Sequence, residues 1–371
     1  MTQPRMKYGR RIDMNTPWIA GILFLIFSVL PAHAAGPLRG VMLPARTMEE
    51  ADFRTLREWG VTLVRYQMCA DGIPNESAAD LPAYRKWLRG KLDHLERDVL
   101  PWAREYGIQV VVDMHFPPGY RRGGDEAFRM FYDDALADAF VACWEEIARR
   151  FAGVSGIYGY DLMNEPVEIL PGRHGHRALY ERAARAVRAI DPDVPILFES
   201  NPWDGPESFL VLEPYDVSNA VYEVHMYRPT DYTHQGVGRH PAGIGRWPDT
   251  ERGWDKDSLR AALAPVRSFQ LRHGARILVG EFSASVWAEG ADAWLRDCIA
   301  LFEEYGWDWT YHAFREWPGW SVEHEGPDAA HLVPSEDNPR KRALLDGLRG
   351  VAEPSASSPT SSPPLQSHRD F

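Results

Sequence analysis

Between residues 36 and 350, short and nearly continuous apolar runs alternate with longer amphipathic stretches. The runs predict strands at Arg39–Leu43, Thr62–Gln67, Gln109–His115, Ile157–Met163, Pro195–Glu199, Ala220–Tyr227, Arg276–Phe282 and Trp307–Phe314. The stretches between them predict helices over 48–59, 84–106, 127–150, 176–190, 258–273 and 291–305. A short or irregular segment is expected near 206–213 and a closing helix at 340–349. In 84–106, Trp87, Leu88, Leu92, Leu95, Val99 and Leu100 follow a period near 3.6, the repeat of one helix face. Strands apolar on both faces belong to a buried parallel sheet, which leaves a closed barrel or a doubly wound open sheet. The open sheet would carry a Gly-rich phosphate loop after its first strand, and neither GxGxxG nor GxxxxGK[ST] occurs. The pattern therefore predicts an α/β fold, a single-domain (β/α)8 TIM barrel over residues 35–350.

The two ends read differently. Arg5, Lys7, Arg10 and Arg11 precede an apolar run from Trp18 to Leu30, and Ala32-His33-Ala34 then offers small residues for cleavage. That order is a signal peptide over 1–34, too short in its apolar part to span a bilayer. An uncleaved anchor is the alternative, and the Arg10-Arg11 pair hints at twin-arginine export with little support from its neighbours. Residues 351–371, rich in Ser and Pro, have too few apolar side chains to join a core and read as a disordered tail.

Composition narrows the function. A formal net charge of −12 without a basic stretch argues against nucleic acid as a partner. With 3 cysteines and no CxxC or Cys/His spacing, no disulfide and no metal site are expected. The 14 tryptophans suit a neutral, flat ligand such as a sugar. The chain reads as a monomer, secreted or periplasmic, with no stable membrane span after cleavage.

In a barrel of this kind the carboxyl ends of the strands converge on one mouth, where the chemistry sits. The predicted ends carry Arg65, Asp113 and His115, Asn164 and Glu165, Glu199 and Asn201, His225 and Tyr227, and Glu281. Glutamates after the fourth and seventh strands suit acetal hydrolysis, in which one carboxylic acid protonates the leaving oxygen and one carboxylate meets the oxocarbenium-like carbon. Glu281 is expected to stay ionised if Arg65 and the Tyr227 hydroxyl reach it. Glu165 is expected to hold its proton through burial near a negative neighbour.

The segment Tyr160-Asp161-Leu162-Met163-Asn164-Glu165-Pro166 resembles the Asn-Glu-Pro signature of glycoside hydrolase family 5, within clan A of the retaining β-glycosidases. Val64-Arg65, Asp113-Met114-His115, His225-Met226-Tyr227 and Gly280-Glu281-Phe282 resemble that family's other strand-end motifs in the same order, so the likeness spans 39–320. The resemblance implies Glu165 as general acid/base and Glu281 as nucleophile. It implies Asn164 on the sugar 2-hydroxyl, Arg65 and Tyr227 holding Glu281, and His115 and His225 lining the subsite. The family usually places a Trp platform at the end of the eighth strand; here His312 aligns with it, and Trp317 is expected to supply the platform from the following loop. No metal or organic cofactor is implied.

Trp203, Trp247, Trp254, Trp287, Trp317 and Trp320 fall in predicted loops, where each could stack on a pyranose or anchor its loop. His174-Gly175-His176 lacks further ligands at metal spacing and reads as a loop leading into a helix. Asn75-Glu76-Ser77 reads as a chance glycosylation sequon. The long stretch from Arg228 to Asp257 either walls off one end of a cleft or extends it. HExxH and Gly-x-Ser-x-Gly are absent, which disfavours zinc and serine hydrolases. The expected activity is that of a secreted endo-β-1,4-glucanase, with β-mannanase and exo-β-1,3-glucanase as alternatives. A non-catalytic carbohydrate-binding barrel is the alternative from another class.

Overall fold

A computed structural model describes residues 36–351 except 45, 71 and 121–126. The signal-peptide reading of 1–34 and the tail reading of 352–371 fall outside the described residues. Eight parallel strands pair in sequence order and close on themselves, β1 (Arg39–Leu43), β2 (Leu63–Gln67), β3 (Gln109–Asp113), β4 (Ile157–Asp161), β5 (Ile196–Phe198), β6 (Ala220–Met226), β7 (Arg276–Phe282) and β8 (Asp308–Tyr311). Closure comes from β1 pairing with β8, Arg39 opposite Trp309 and Val41 opposite Tyr311. Helices pack outside, among them α1 (Glu50–Trp59), α2 (Leu81–His94), α3 (Leu100–Tyr106), α4 (Asp134–Phe151) and α5 (His176–Arg188). They continue with α6 (Thr230–Thr233), α7 (Lys256–His273), α8 (Ala291–Tyr305) and α9 (Pro339–Leu348). A (β/α)8 barrel is thus the architecture.

Three boundaries depart from the expectation for physical reasons. The predicted helix over 84–106 is α2 and α3 joined by a π turn at Leu95–Val99, with Pro101, which has no N–H to donate, just beyond it. The predicted helix over 127–150 begins late, where Asp133 caps α4 by accepting from the Ala135 and Leu136 amides at 2.8 and 3.2 Å. The third, fourth and eighth strands stop before their motif residues. His115, Asn164, Glu165 and His312 therefore stand on loop backbone just past the last strand pair. The short helix α6 and a hairpin of His324–Glu325 with Val333–Pro334 carry no periodic signal in sequence.

The inside of the barrel is layered. Leu63, Val111, Tyr158, Leu197, Val221 and Leu278 form a buried apolar plug near the strands' amino ends. Side chains alternate along a strand, so two residues further on the same inward face carries Arg65, Asp113, Glu199, Glu223 and Gly280. Two irregularities in register complete this charged layer. The pairing of β3 with β4 runs from Val110 opposite Ile157 to Val111 opposite Gly159, which brings Asp161 beside Asp113. The pairing of β6 with β7 runs from Val224 opposite Val279 to His225 opposite Glu281. Bulges of this kind re-aim a side chain, and this one sets Glu281 beside His225. Gly280 is required there, because a Cβ on it would lie 1.5 Å from Glu223 Oε1.

Close strand contact gives a stability test. A Cβ on Gly40 would lie 1.7 Å from the Leu63 carbonyl oxygen, whereas one on Gly90, exposed in α2, would meet nothing within 4 Å. Gly40→Ala is expected to cost about 1–3 kcal/mol or more in urea unfolding. Gly90→Ala is expected to gain up to about 1 kcal/mol. A neutral Gly40→Ala would contradict the β1–β2 packing.

Candidate active site

Arg65 has no exposed surface, and its guanidinium meets carboxylates from five neighbouring segments. Its nitrogens lie 3.3 Å from Asp113, 2.7 Å from Asp161, 2.7 Å from Glu199, 3.0 Å from Glu223 and 2.8 Å from Glu281. It also donates to Asn164 Oδ1 at 2.9 Å. One cation cannot neutralise five buried carboxylates. Burial, with repulsion from Glu223 and other neighbouring acids, pushes the Asp161 and Glu199 carboxyls well above the usual range, so they hold protons to higher pH.

Above this layer stand Glu165 and Glu281. One ligand atom each of Glu165, His225 and Glu281 lies within 4.8 Å of the others. His225 Nδ1 is 3.0 Å from Glu165 Oε1 and 3.8 Å from Glu281 Oε2, so its ring bridges the two. Burial alone would lower the His225 pKa, but Glu281 and Glu199 raise it well above that of an ordinary imidazole. Burial alone would raise Glu281, yet His225, His312 and Arg65 hold it well below the usual carboxylate range. Glu199, Glu223 and His225 form a second close triad, and its spacing would also suit a metal ion. Arg65 and His225 already bring positive charge to these acids, so we read both groups as an ion-pair network.

Glu165 sits on strained backbone with φ of 42°, a region non-glycine residues seldom adopt. Its amide donates to Glu199 Oε2 at 2.6 Å, which pins that conformation. The sequence gives no local hint of this role for Glu199. The burial expected around Glu165 is only partial, since 33% of its side chain is exposed. Tyr227 donates to Glu281 Oε2 at 2.8 Å and lies 2.6 Å from His312 Nδ1.

A cavity of about 920 Å³ opens over these groups. Its lining includes Glu165, His225, Tyr227, Glu281 and His312. Arg65 and Asn164, read as substrate-binding, lie beneath that lining. Arg65 is wholly buried and touches the lining through Glu281, while it also donates to Asn164. His115 is turned toward Asp113, with Nδ1 2.8 Å from Oδ2, and does not line the cavity.

Trp317 does not supply the platform expected of it. Its ring packs edge-on against Trp287 and Trp320, while a turn closed by the Trp320 amide on the Trp317 carbonyl returns Trp320 to the cavity wall. Trp203, 44% exposed, also lines the cavity. Trp247 and Trp287 are loop anchors, donating to Asp297 at 2.9 Å and to the Gln235 carbonyl at 2.6 Å. Trp254 packs on Tyr232. The stretch after Arg228 builds a wall, with His234, Val237, Arg239 and His240 on the cavity. His176 is buried against Tyr180 at the start of α5, and Asn75 is buried as well. Cys69, Cys143 and Cys298 are buried and not joined in disulfides. Among the described residues, no helix is long and apolar enough to cross a membrane.

Residues 34–316 match the family model described as Cellulase (glycosyl hydrolase family 5). Endoglucanase C of Acetivibrio thermocellus is 26% identical over 293 residues, covering 71% of this chain and 83% of that protein. Cellodextrinase A of Ruminococcus flavefaciens is 23% identical over 269 residues, covering 70% and 76%. The crystal structure of endoglucanase Cel5A from Thermotoga maritima superposes with a TM-score of 0.62 at 21% identity, covering 84% of this chain and 96% of that one.

The charged layer predicts a pH-dependent response. Asp161 and Glu199 have folded-state pKa values above their unfolded ones. Their contribution to stability is complete below about pH 4 and is lost as pH rises through the folded values. Arg65→Met removes the cation and is expected to cost about 3–5 kcal/mol near neutral pH. The loss should shrink in urea unfolding near pH 5, because a lower pH favours the protonated acids, which do not need the cation. An equal loss at both pH values would make packing, not charge, the contribution of Arg65.

Proposed function

The chain belongs to glycosyl hydrolase family 5 and is a glycoside hydrolase, and we propose that it is a retaining β-glycosidase acting on a β-glucan in the manner of an endo-β-1,4-glucanase. The observation that carries the reading is the close approach of Glu165 and Glu281, with one oxygen of each within 4.8 Å at the floor of the cavity. That spacing fits the ~5–5.5 Å separation of retaining enzymes, whereas inverting enzymes keep ~6.5–9.5 Å for a water.

In this mechanism a Glu281 oxygen attacks the anomeric carbon while the bond to the leaving oxygen breaks and Glu165 donates its proton to that oxygen. A water then attacks the same carbon, giving its proton to Glu165 as the ester bond to Glu281 breaks. The low pKa of Glu281 supports the role of nucleophile. The exposure of Glu165 suits a group that meets first a leaving group and then water. The Asn164 oxygen accepts from Arg65, which leaves its amide nitrogen as the group that would meet the sugar 2-hydroxyl from beneath the lining. The names of the two curated relatives, an endoglucanase and a cellodextrinase, support a β-glucan substrate. The basic start and apolar run of the first 34 residues support export, with the enzyme acting in the periplasm or outside the cell.

Reducing-end release from carboxymethylcellulose, glucomannan, laminarin and lichenan tests the reading. Activity is expected on the β-1,4-linked glucans and is lost in Glu281→Ala. Glu165→Gln should cost about 10²–10⁴-fold on polysaccharide, and far less on an aryl β-glycoside whose leaving group needs no proton. A variant that loses both substrates equally would overturn the assignment of Glu165 as the acid.

A further inference from the structure

His312 stands where the family resemblance leads one to expect a Trp, and its hydrogen bonds define its charge. The Tyr227 hydroxyl lies 2.8 Å from Glu281 Oε2 and 2.6 Å from His312 Nδ1. A phenol has one proton to share between these neighbours. If that proton pointed at the ring, the phenol oxygen and the Glu281 carboxylate would face each other at 2.8 Å with no hydrogen between them. The proton therefore lies toward Glu281, and Nδ1 must donate its own to the phenol oxygen. On the far side of the ring, His312 Nε2 lies 3.1 Å from Glu316 Oε2. That oxygen also accepts from Gln67 Nε2 at 3.0 Å, and an ionised carboxylate only accepts. Nε2 must carry a hydrogen as well.

We propose that His312 is a doubly protonated imidazolium at neutral pH and a positioning residue that, through Tyr227, holds Glu281 ionised and aimed into the cavity. The assignment of Glu281 as the group being aimed rests on the reading above; the charge of the ring does not. The surroundings agree with it. Glu281 on β7 is 3.4 Å from Nδ1, and Glu316 follows in the next loop. Opposing them are His225 on β6 and His234 beyond it, both facing the same pocket. Burial alone would lower the His312 pKa, and the two carboxylates outweigh burial and His225 to raise it. Glu316 is held low in turn, although burial alone would raise it, by the charge and hydrogen bond of His312 and the charge of His115. An aromatic platform would offer an apolar face at this place; His312 offers a cation on the cavity wall, 15% exposed.

Long-range proton–nitrogen spectra of the whole protein labelled with ¹⁵N-histidine read the ring directly, with no substrate involved. The His312 signal is identified by its loss in His312→Gln or its displacement in Glu316→Gln, whichever variant folds. Both ring nitrogens are expected to be protonated near pH 7.5, about one unit above the ordinary imidazole pKa. A bare nitrogen at that pH overturns the proposal whatever the enzyme cleaves.

The second arm measures kcat/KM against pH with a 2,4-dinitrophenyl β-glycoside, for which protonation by Glu165 is not needed. Activity should fall as pH rises through the His312 pKa. In His312→Gln that limb should disappear and the rate near pH 6 should drop about 10- to 100-fold, the scale of a lost charge-assisted hydrogen bond. A variant that keeps both the rate and the limb removes the positioning role.

Discussion

Arg65 is a guanidinium with no exposed surface set among carboxylates from β3, β4, the end of β5, β6 and β7. Fully buried ion pairs seldom add net stability, because desolvation offsets their attraction, but removing one partner is costly. The arrangement therefore matters less for how much it stabilises than for what it fixes. Five strand ends are held at set distances from one group, and a displaced strand would leave a carboxylate unpaired in the interior.

Both glutamates of the cavity hang from that centre. Glu281 receives Arg65 directly, at 2.8 Å. Glu165 is tied to it by two routes, through Asn164, whose oxygen accepts from Arg65, and through Glu199, which binds Arg65 with one oxygen and the Glu165 amide with the other. Left-handed backbone at a non-glycine residue costs about 1–3 kcal/mol and persists where its surroundings over-determine it. Here Glu199 is the visible restraint. The two glutamates nevertheless meet different surroundings, one clamped by cations and the other a third open to solvent. Two identical side chains thus meet unlike charge and solvent from position alone.

Much of this was legible in the sequence. The eight apolar runs predict the strands, and reading their carboxyl ends identifies Glu165, His225, Tyr227 and Glu281, to which the family resemblance adds His312; all of these line the cavity. The inner layer was less legible, because Asp161 and Glu223 interrupt apolar runs without a motif of their own. The inward facing of Asp161, and the place of Glu281 beside His225, depend on bulges beside Tyr158 and Gly280 that no local pattern announces. A period-two count from the apolar plug would have pointed to Asp113, Glu199 and Glu223. Trp317 and Trp320 show a different limit. Which of two loop tryptophans meets the cavity depends on a single turn between them, and composition treats them alike.

The closure of β1 on β8 has a consequence for how the molecule is built. The Leu38 amide donates to Asp308 Oδ1 at 2.8 Å, and Arg39 pairs with Glu303 at 2.7 Å, contacts between residues 270 and 264 positions apart. A chain emerging from its amino end completes β1 and β2 long before β8 exists, and the outer edge of β1 must wait, unpaired, for nearly the whole barrel to be synthesised. Such an edge is a template for wrong partners, and contacts this distant in sequence are slow to form. The order of synthesis thus makes β1 the strand most in need of protection before the fold is sealed.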